Sequence, residues 1–279
     1  MKFGQALIYA PFALLFVPFF VAPMIIIVSY SVGGPHGWFA EYLEIVSNQG
    51  IRAVIYNTFY AATVTTSLSI LIGFPCALVL TILPRKYAGV GLVLVLLPFW
   101  TSAVIKSFAW MTILGRNGPV NAGLVGMGVI NEPIRFLDNG VGMIIAMVYI
   151  MLPFAIMPIY NALGTIDETL KRAAAVLGAN PLRQFLVVTL PLSLPGVAVG
   201  ATIVFVVSLG FFVTPSLLGG SRVMISILIS DQANRLLNWP LASALAVVLL
   251  AFTAALFGML RLVQQLSTTA FALRNGRRM

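Results

Sequence analysis

Long apolar runs separated by short polar stretches define the pattern of this chain. Six such runs cover about residues 7–30, 54–83, 88–114, 140–163, 192–214 and 241–263. Each is continuously apolar rather than alternating, which predicts helices and not the strands of a membrane barrel. Helices also satisfy their own backbone hydrogen bonds in hydrocarbon. The pattern therefore predicts an all-α polytopic membrane protein with about six transmembrane helices.

The first run is expected to stay in the membrane as a helix. A cleavable signal peptide has a short apolar core and a small-residue cleavage site. The run at 7–30 is longer than such a core and shows no clear site, which favours a retained helix over a signal peptide. The polar stretches are too short to fold alone, because domains rarely fold below about 50 residues. We therefore expect one membrane domain over residues 1–279.

Composition strengthens this prediction and excludes other classes of protein. Of the 279 residues, 60% are hydrophobic and 8% are charged, whereas soluble domains carry about 25% charged residues. The single cysteine, Cys76, excludes an intramolecular disulfide, and the single histidine, His36, excludes a multi-histidine metal site. The chain has no Gly-Lys-Ser/Thr phosphate loop. We expect no catalytic site, no metal and no cofactor in this chain.

The net charge of +9 predicts an orientation in the membrane. In a soluble domain it would suggest nucleic acid, but basic residues beside membrane helices mark the cytoplasmic side. With both termini in the cytoplasm, ten of the sixteen Lys and Arg residues lie inside. The segments 31–53, 115–139 and 215–240 then lie outside, and no nucleic-acid partner is expected. The ten are Lys2, Arg85, Lys86, Lys171, Arg172, Arg183, Arg261, Arg274, Arg277 and Arg278.

The polar segment 164–191 carries the clearest local signals. Thr165 followed by Glu168 predicts a capping box at a helix start. Gly178 predicts that this helix ends in a left-handed residue, and Asn180 predicts the cap of a second helix.

These signals predict a cytoplasmic helix–turn–helix hairpin at about 165–190, between the fourth and fifth spans. Pro181 suits the first position of its second helix. The patterning leaves two interpretations open, a plain connector between spans or a docking element for a partner.

The same segment resembles the cytoplasmic loop of binding-protein-dependent ABC importer permeases. The family pattern is Glu-Ala-Ala, three residues, Gly, nine residues, Ile, one residue and Leu-Pro. Arg172 stands where the family usually has Glu, and Val188 where it usually has Ile. The residues at matching positions are Ala173, Ala174, Gly178, Val188, Leu190 and Pro191.

The resemblance implies a type I ABC importer permease-like bundle in the bacterial inner (cytoplasmic) membrane, surrounded by lipid. It implies a complex with a second permease, two ATPase subunits that bind ATP and Mg, and a periplasmic or extracellular substrate-binding protein. The hairpin would dock into a groove of the ATPase and relay its closure. The residues implied in docking are Asp167, Leu170, Arg172, Ala173, Ala174, Gly178, Pro181, Leu182, Leu190 and Pro191.

Five further stretches, at 98–110, 128–137, 148–160, 189–200 and 238–244, resemble the spermidine/putrescine branch of the family. This implies import of a small organic cation, with a polyamine as the first expectation. The alternative solutes are other small amino-containing compounds, such as phosphonates, opines or amino acids. A secondary transporter is a weaker alternative, because no Asp or Glu lies in the six runs. A membrane-embedded enzyme is also weaker, because it would need a polar constellation in the spans and the single histidine, His36, lies in a loop.

Lys106 lies inside the third run and has two interpretations. A charge inside an apolar span usually faces a cavity or a partner, which suggests a substrate-path or gate residue. If Pro98 shortens or bends the helix, the ammonium instead reaches the outer interface.

Three residues near Lys106 or on the fourth run are further path candidates. Trp100 and Tyr149 offer aromatic faces to a cation in transit, although such residues also serve as packing elements. Thr101 offers a hydroxyl, which can equally bond one helix to another.

Asp231 is the last path candidate and lies in the 215–240 segment. The apolar centre of this segment is too short to span, so we expect a re-entrant or lid segment. Asp231 either attracts cations there or forms an ion pair with Arg235, four residues later.

Overall fold

A computed structural model describes residues 14–34 and 37–276, with side chains up to Met259. Several residues named in the sequence analysis lie outside the described residues: Lys2, His36, Arg277 and Arg278. The side chains of Arg261 and Arg274 also lie outside them. In chain order the helices are α1 (Leu14–Val32), α2 (Ala40–Ser47), α3 (Gln49–Ile82), α4 (Arg85–Trp100), α5 (Ala103–Ile113), α6 (Pro119–Gly126), α7 (Val141–Gly164), α8 (Glu168–Val176), α9 (Pro181–Leu209), α10 (Val213–Leu218), α11 (Ile225–Asn234) and α12 (Trp239–Gly276).

The prediction of an all-α membrane protein with about six spans is confirmed. Five of the helices, α1, α3, α7, α9 and α12, are each long and apolar enough to cross a membrane. The pair α4 and α5 supplies a sixth span if the two helices are counted together. All regular secondary structure in the described part of the chain is helical.

The third apolar run is not one straight helix. It divides into α4 and α5, which are bent by 99° across a short break. Thr101 and Ser102 form the break and leave the helical conformation. Pro98 lies just before it, in the 3₁₀ turn Leu97–Trp100 that ends α4. Proline has no N–H for the helix and its ring clashes with the preceding turn, which explains why the α-helical pattern stops there.

The chain separates into two compact units, and the first consists of Met1–Arg52 together with Leu228–Met279. Within its described part, α1 packs along α12, and α2 contacts both helices. The Tyr42 hydroxyl of α2 donates to the buried Ser31 Oγ of α1 at 2.9 Å.

The second unit, Ala53–Ile227, is built around α7. Twelve residues of α7 are buried, and they contribute to three hydrophobic clusters. Met143 and Met147 pack with Ala61 of α3 and Leu218 of α10, while Ile156 and Ile159 pack with residues of α3 further along. The prediction of one domain over residues 1–279 stays a prediction.

Small residues allow α7 and α9 to approach closely. A Cβ placed on Gly196 of α9 would overlap the Ala162 side chain and lie 2.6 Å from the Pro158 carbonyl oxygen. A Cβ on Gly200 would lie 3.1 Å from the Ala155 carbonyl oxygen. Close backbone approach through glycine is the usual way in which membrane helices pack.

The segment after α9 is packed rather than loose. It forms α10 and α11, and Leu218 and Met224 are fully buried in the second unit. The Ile225 N–H donates to Thr58 Oγ1 at 2.8 Å. The re-entrant or lid character of this segment stays a prediction.

Candidate functional site

The predicted hairpin begins later than expected. Thr165 caps the end of α7, and its hydroxyl donates to the Ala162 carbonyl at 2.8 Å. The N-cap of α8 is Asp167, whose Oδ1 accepts the Thr169 N–H at 2.8 Å. The predicted capping box of Thr165 and Glu168 is therefore wrong, because the hydroxyl is already bonded to the preceding helix.

The Asp167 carboxylate is held in its charged form by this cap. The hydrogen bond from the Thr169 backbone lowers the pKa of Asp167 below its ordinary value. A negative charge also favours the positive end of a helix dipole. Since the folded-state pKa is lowered, the cap stabilises α8 above the usual carboxyl pKa and weakens as the pH falls through the lowered value.

The end of α8 follows the prediction. Gly178 has φ +82°, in the left-handed region. The Gly178 N–H donates to Ala175 O at 2.9 Å, and the Ala179 N–H donates to Ala174 O at 3.0 Å. These two bonds form a Schellman motif, which glycine accommodates without strain from a Cβ.

The second helix of the predicted hairpin is the beginning of the fifth span. Asn180 caps it as predicted, since its Oδ1 accepts the Arg183 N–H at 2.8 Å, and Pro181 is the first helical residue. The helix then continues to Leu209 without a break. Its turn at Phe185–Thr189 is widened to a π-helix. This wide turn accommodates Pro191, which cannot donate a hydrogen bond to the turn before it.

An exposed apolar surface covers the tip of this hairpin. Val176 and Leu177 are 88% and 87% exposed, and Leu170 and Leu182 are also exposed. Contiguous exposed apolar residues mark interaction surfaces. We call this patch the docking surface, after the docking role that the resemblance implies; its residues are Leu170, Ala173, Val176, Leu177 and Leu182.

The remaining docking candidates lie around this surface or behind it. Arg172 is exposed, and no carboxylate of the described residues lies within 4.0 Å of it. Ala174 and Leu190 are half-buried, and Pro191 is exposed. A cavity of about 430 Å³ behind α8 is lined by Phe185 and by an ion pair of 3.2 Å between Lys171 and Glu168.

The Pro98 carbonyl group accepts three hydrogen bonds at the break between α4 and α5. The Pro98 oxygen accepts from Thr101 Oγ1 at 2.8 Å, from Lys106 Nζ at 2.9 Å and from the Thr101 N–H at 3.3 Å. Ser102 caps α5, and its Oγ accepts the Val104 N–H at 3.3 Å. The three donors fix the sharp bend.

The Lys106 ammonium is thus folded back onto the chain. It lies at the carboxyl end of α4, where the helix dipole is negative, and this position partly offsets its charge. The side chain of Lys106 is half-buried. The path role and the interface role of Lys106 both stay predictions.

The other path candidates have separate surroundings. Tyr149 is half-buried, and its ring meets Trp110 edge-to-face at 5.4 Å. Trp100 is exposed beside Phe99. Asp231 belongs to the first unit, where it forms the alternative ion pair with Arg235 at 3.6 Å.

Asn121 is a structural residue that the sequence analysis did not single out. It is 1% exposed, and its Nδ2 donates to Gly115 O and to Ile134 O, each at 3.0 Å. Its Oδ1 accepts the Ile134 N–H at 2.9 Å. It therefore clamps the two ends of the 115–139 segment. No local signal marks it, because an Asn in a glycine-rich stretch usually indicates a turn.

No group of three or more His, Cys, Asp or Glu side chains comes together in the described part of the chain to hold a metal. The described residues combine a membrane bundle, a bent span with a half-buried cation, and an exposed apolar tip.

Comparison with known proteins agrees with this arrangement. Residues 6–267 match the family model of the binding-protein-dependent transport system inner membrane component. The spermidine/putrescine transport system permease protein PotB of Haemophilus influenzae is 36% identical over 204 residues, covering 73% of this chain and 71% of the relative. PotB of Escherichia coli is 33% identical over 197 residues, covering 70% of this chain and 72% of the relative.

A solved structure confirms the fold. A chain from a bacterial ABC transporter that imports the acidic polysaccharide alginate aligns with a TM-score of 0.68 at 23% identity, covering 91% of this chain and 95% of that chain. This chain therefore belongs to the family of binding-protein-dependent transport system inner membrane components. It is a multi-pass inner-membrane permease subunit of an ABC importer. It works with a binding protein and ATPase subunits and is not itself an enzyme.

Proposed function

We propose that this chain is a permease subunit of an ABC importer for polyamines such as spermidine and putrescine. The observation that carries the proposal is the similarity to PotB proteins, which extends over more than two thirds of both chains. The geometry of the bent span supports it. The Pro98 carbonyl accepts from Lys106, so the repulsion of a cationic solute by this ammonium is weakened.

Aromatic side chains supply further support for a cationic solute. Trp110 and Tyr149 meet edge-to-face on neighbouring helices of the second unit. Tryptophan and tyrosine rings attract ammonium groups through their electron-rich faces. Trp100 and Thr101 adjoin the bend, and a solute that passes there meets a ring and a hydroxyl.

The proposed complex contains this chain, a second and different permease, two ATPase subunits with ATP and Mg, and a substrate-binding protein. The docking surface around Leu177 enters the ATPase, because it is apolar, exposed and ends in a rigid Schellman turn. Alternating access requires that ATP binding favour one conformation of the bundle over the other. Gly178 and Leu182 lie in the hairpin, through which the ATPase would transmit this conformational preference to the bundle.

Uptake by the whole complex tests the proposed substrate. Complexes in vesicles should accumulate labelled putrescine or spermidine in the presence of ATP and the binding protein. Excess unlabelled polyamine should suppress this uptake. Transport of a neutral or anionic solute that excess polyamine fails to inhibit would contradict the proposal.

The proposed topology has both termini and the α8 surface in the cytoplasm and the 115–139 segment outside. Cysteines are placed at the exposed positions Asn131 and Ala175, after Cys76→Ser removes the exposed native thiol. In intact cells with a permeabilised outer membrane, an impermeant thiol reagent should label Asn131→Cys and spare Ala175→Cys. Labelling in the opposite pattern would reverse the orientation.

A further inference from the structure

Glu41 of α2 carries a buried carboxyl group. It lies in the first turn of α2, is 4% exposed, and has no hydrogen-bond partner for its Oε2 among the described residues. Burial of a charged group is costly unless the group is paired. A carboxylate in this position therefore indicates a missing cationic partner.

The chain makes room for this carboxylate. A Cβ on Gly34 would overlap the Glu41 carboxyl group, lying 2.5 Å from its Cδ, so the carboxyl group packs directly against the Gly34 backbone. Phe39, the N-cap of α2, has φ 63°, an uncommon conformation for a residue with a side chain. Strained backbone of this kind is often found at binding sites.

Three polar side chains in the described part of the first unit have partners other than Glu41. The Tyr42 hydroxyl donates to Ser31 Oγ at 2.9 Å, and Ser31 Oγ donates to Val28 O at 2.7 Å. Arg235 pairs with Asp231. None of these donors compensates Glu41.

Aromatic side chains lie next to Glu41 in the chain. Trp38 is 81% exposed, and Phe39 is 55% exposed with its ring 5.9 Å from that of Tyr42. A carboxylate accompanied by aromatic rings suits an alkyl ammonium, since the rings attract the cation and cover its methylene groups. A divalent metal is a poorer fit, because Ca²⁺ and Mg²⁺ take about six or more oxygen ligands and no cluster of three or more such side chains forms in the described residues.

We propose that Glu41 binds a primary ammonium group of the transported amine. The inference rests on the proposed polyamine substrate and on the outside location of the 31–53 segment. The Glu41 oxygen accepts from the ammonium, and Trp38 and Phe39 cover the alkyl chain.

The first test compares Glu41→Gln with Glu44→Gln in the complete complex. Both variants remove one negative charge from α2, but Glu44 is exposed. Glu41→Gln should raise the KM for putrescine uptake by roughly ten- to hundredfold, the loss of one charge-assisted hydrogen bond, with little change at saturation. Glu44→Gln should match the wild type. A normal KM in Glu41→Gln would overturn the proposal.

A second measurement uses the wild-type complex and so does not depend on the folding of a variant. A water-soluble carbodiimide is added with increasing putrescine, and peptides that carry the putrescine amide are quantified by mass spectrometry. Coupling at Glu41 should saturate at low putrescine, whereas coupling at Glu44 should rise linearly. Linear coupling at both residues would overturn the proposal.

The same experiments distinguish an ammonium of the transported amine from a lysine of the binding protein. They also separate failure of this inference from failure of the proposed function. If Glu41→Gln raises only the half-saturating concentration of the loaded binding protein, and Glu41 shows no saturable coupling, its partner is a lysine of that protein and the amine site is refuted. If wild-type complexes transport putrescine while both tests at Glu41 fail, only this inference is lost. If wild-type complexes transport no polyamine, the proposed function fails.

Discussion

Replacement of Gly178 by leucine is expected to reduce ATP-dependent uptake about tenfold or more, with the chain still inserted in the membrane. Gly178 has φ +82°, where a residue with a Cβ is strained by about 1–2 kcal/mol. No atom lies within 4 Å of a Cβ at this position, so the new side chain leaves the bundle intact. The leucine would instead project beside Leu177 and tilt the docking surface. Uptake and copurification of the ATPase are the measurements.

Three control variants separate the effects of backbone strain, side-chain size and general loss of stability. Gly164→Leu makes the same change in the same segment, where the backbone is helical and no atom lies within 4 Å of the Cβ, and should be close to wild type. Gly178→Ala introduces strain without bulk and should have an intermediate effect. Leu182→Ala should also do less than Gly178→Leu. Normal uptake by Gly178→Leu at normal abundance would mean that the hairpin is only a connector.

Replacement of Gly196 by valine is expected to prevent stable folding of the second unit. The added side chain would overlap Ala162 and the Pro158 carbonyl, and both belong to the central helix α7. Overpacking of this kind costs about 1–3 kcal/mol, and more where backbone atoms are in the way. Membrane abundance and the thermal unfolding temperature should fall sharply.

Gly258→Val is the matched control for this prediction. Gly258 is exposed on α12, and no atom lies within 4 Å of a Cβ there. This variant should accumulate as the wild type does. Equal abundance of Gly196→Val and Gly258→Val would refute the close α7–α9 contact.

Helix caps were predictable from the sequence, because the groups that form their hydrogen bonds are close together along the chain. The caps at Gly178 and Asn180 follow from backbone geometry within a few residues, and the structure has both. The capping box at Thr165 was wrong because Thr165 and Asp167, two residues apart, can both cap a helix. The end of α7 engaged the Thr165 hydroxyl and left Asp167 to cap α8.

The bend and the continuous fifth helix were harder to predict. Apolar residues lie on both sides of the break after Pro98, so hydropathy runs through it without a change. The segment from Pro181 to Leu190 is less apolar than the span that follows, and this contrast concealed one uninterrupted helix. Cys76 lies in an apolar run and is exposed.

Long-range contacts left no trace in the sequence. The Lys106–Pro98 bond requires the bend, and the Asn121 clamp requires the 115–139 segment to fold back on itself. The buried hydroxyl pair of Ser107 and Thr214 joins residues more than one hundred positions apart at 2.8 Å. Such contacts depend on how the helices pack, which periodicity does not specify.

The uninterrupted course of α9 gives the permease a lever. Its 29 residues rise about 43 Å at 1.5 Å each, which exceeds the hydrocarbon core of about 30 Å. A tilt of about 5° around its middle would shift each tip by about 2 Å. A small rotation of α9 caused by a force beside Pro181 would therefore move the far end of the helix by about the size of an atom. Such a movement is enough to open or close a passage for a slender solute.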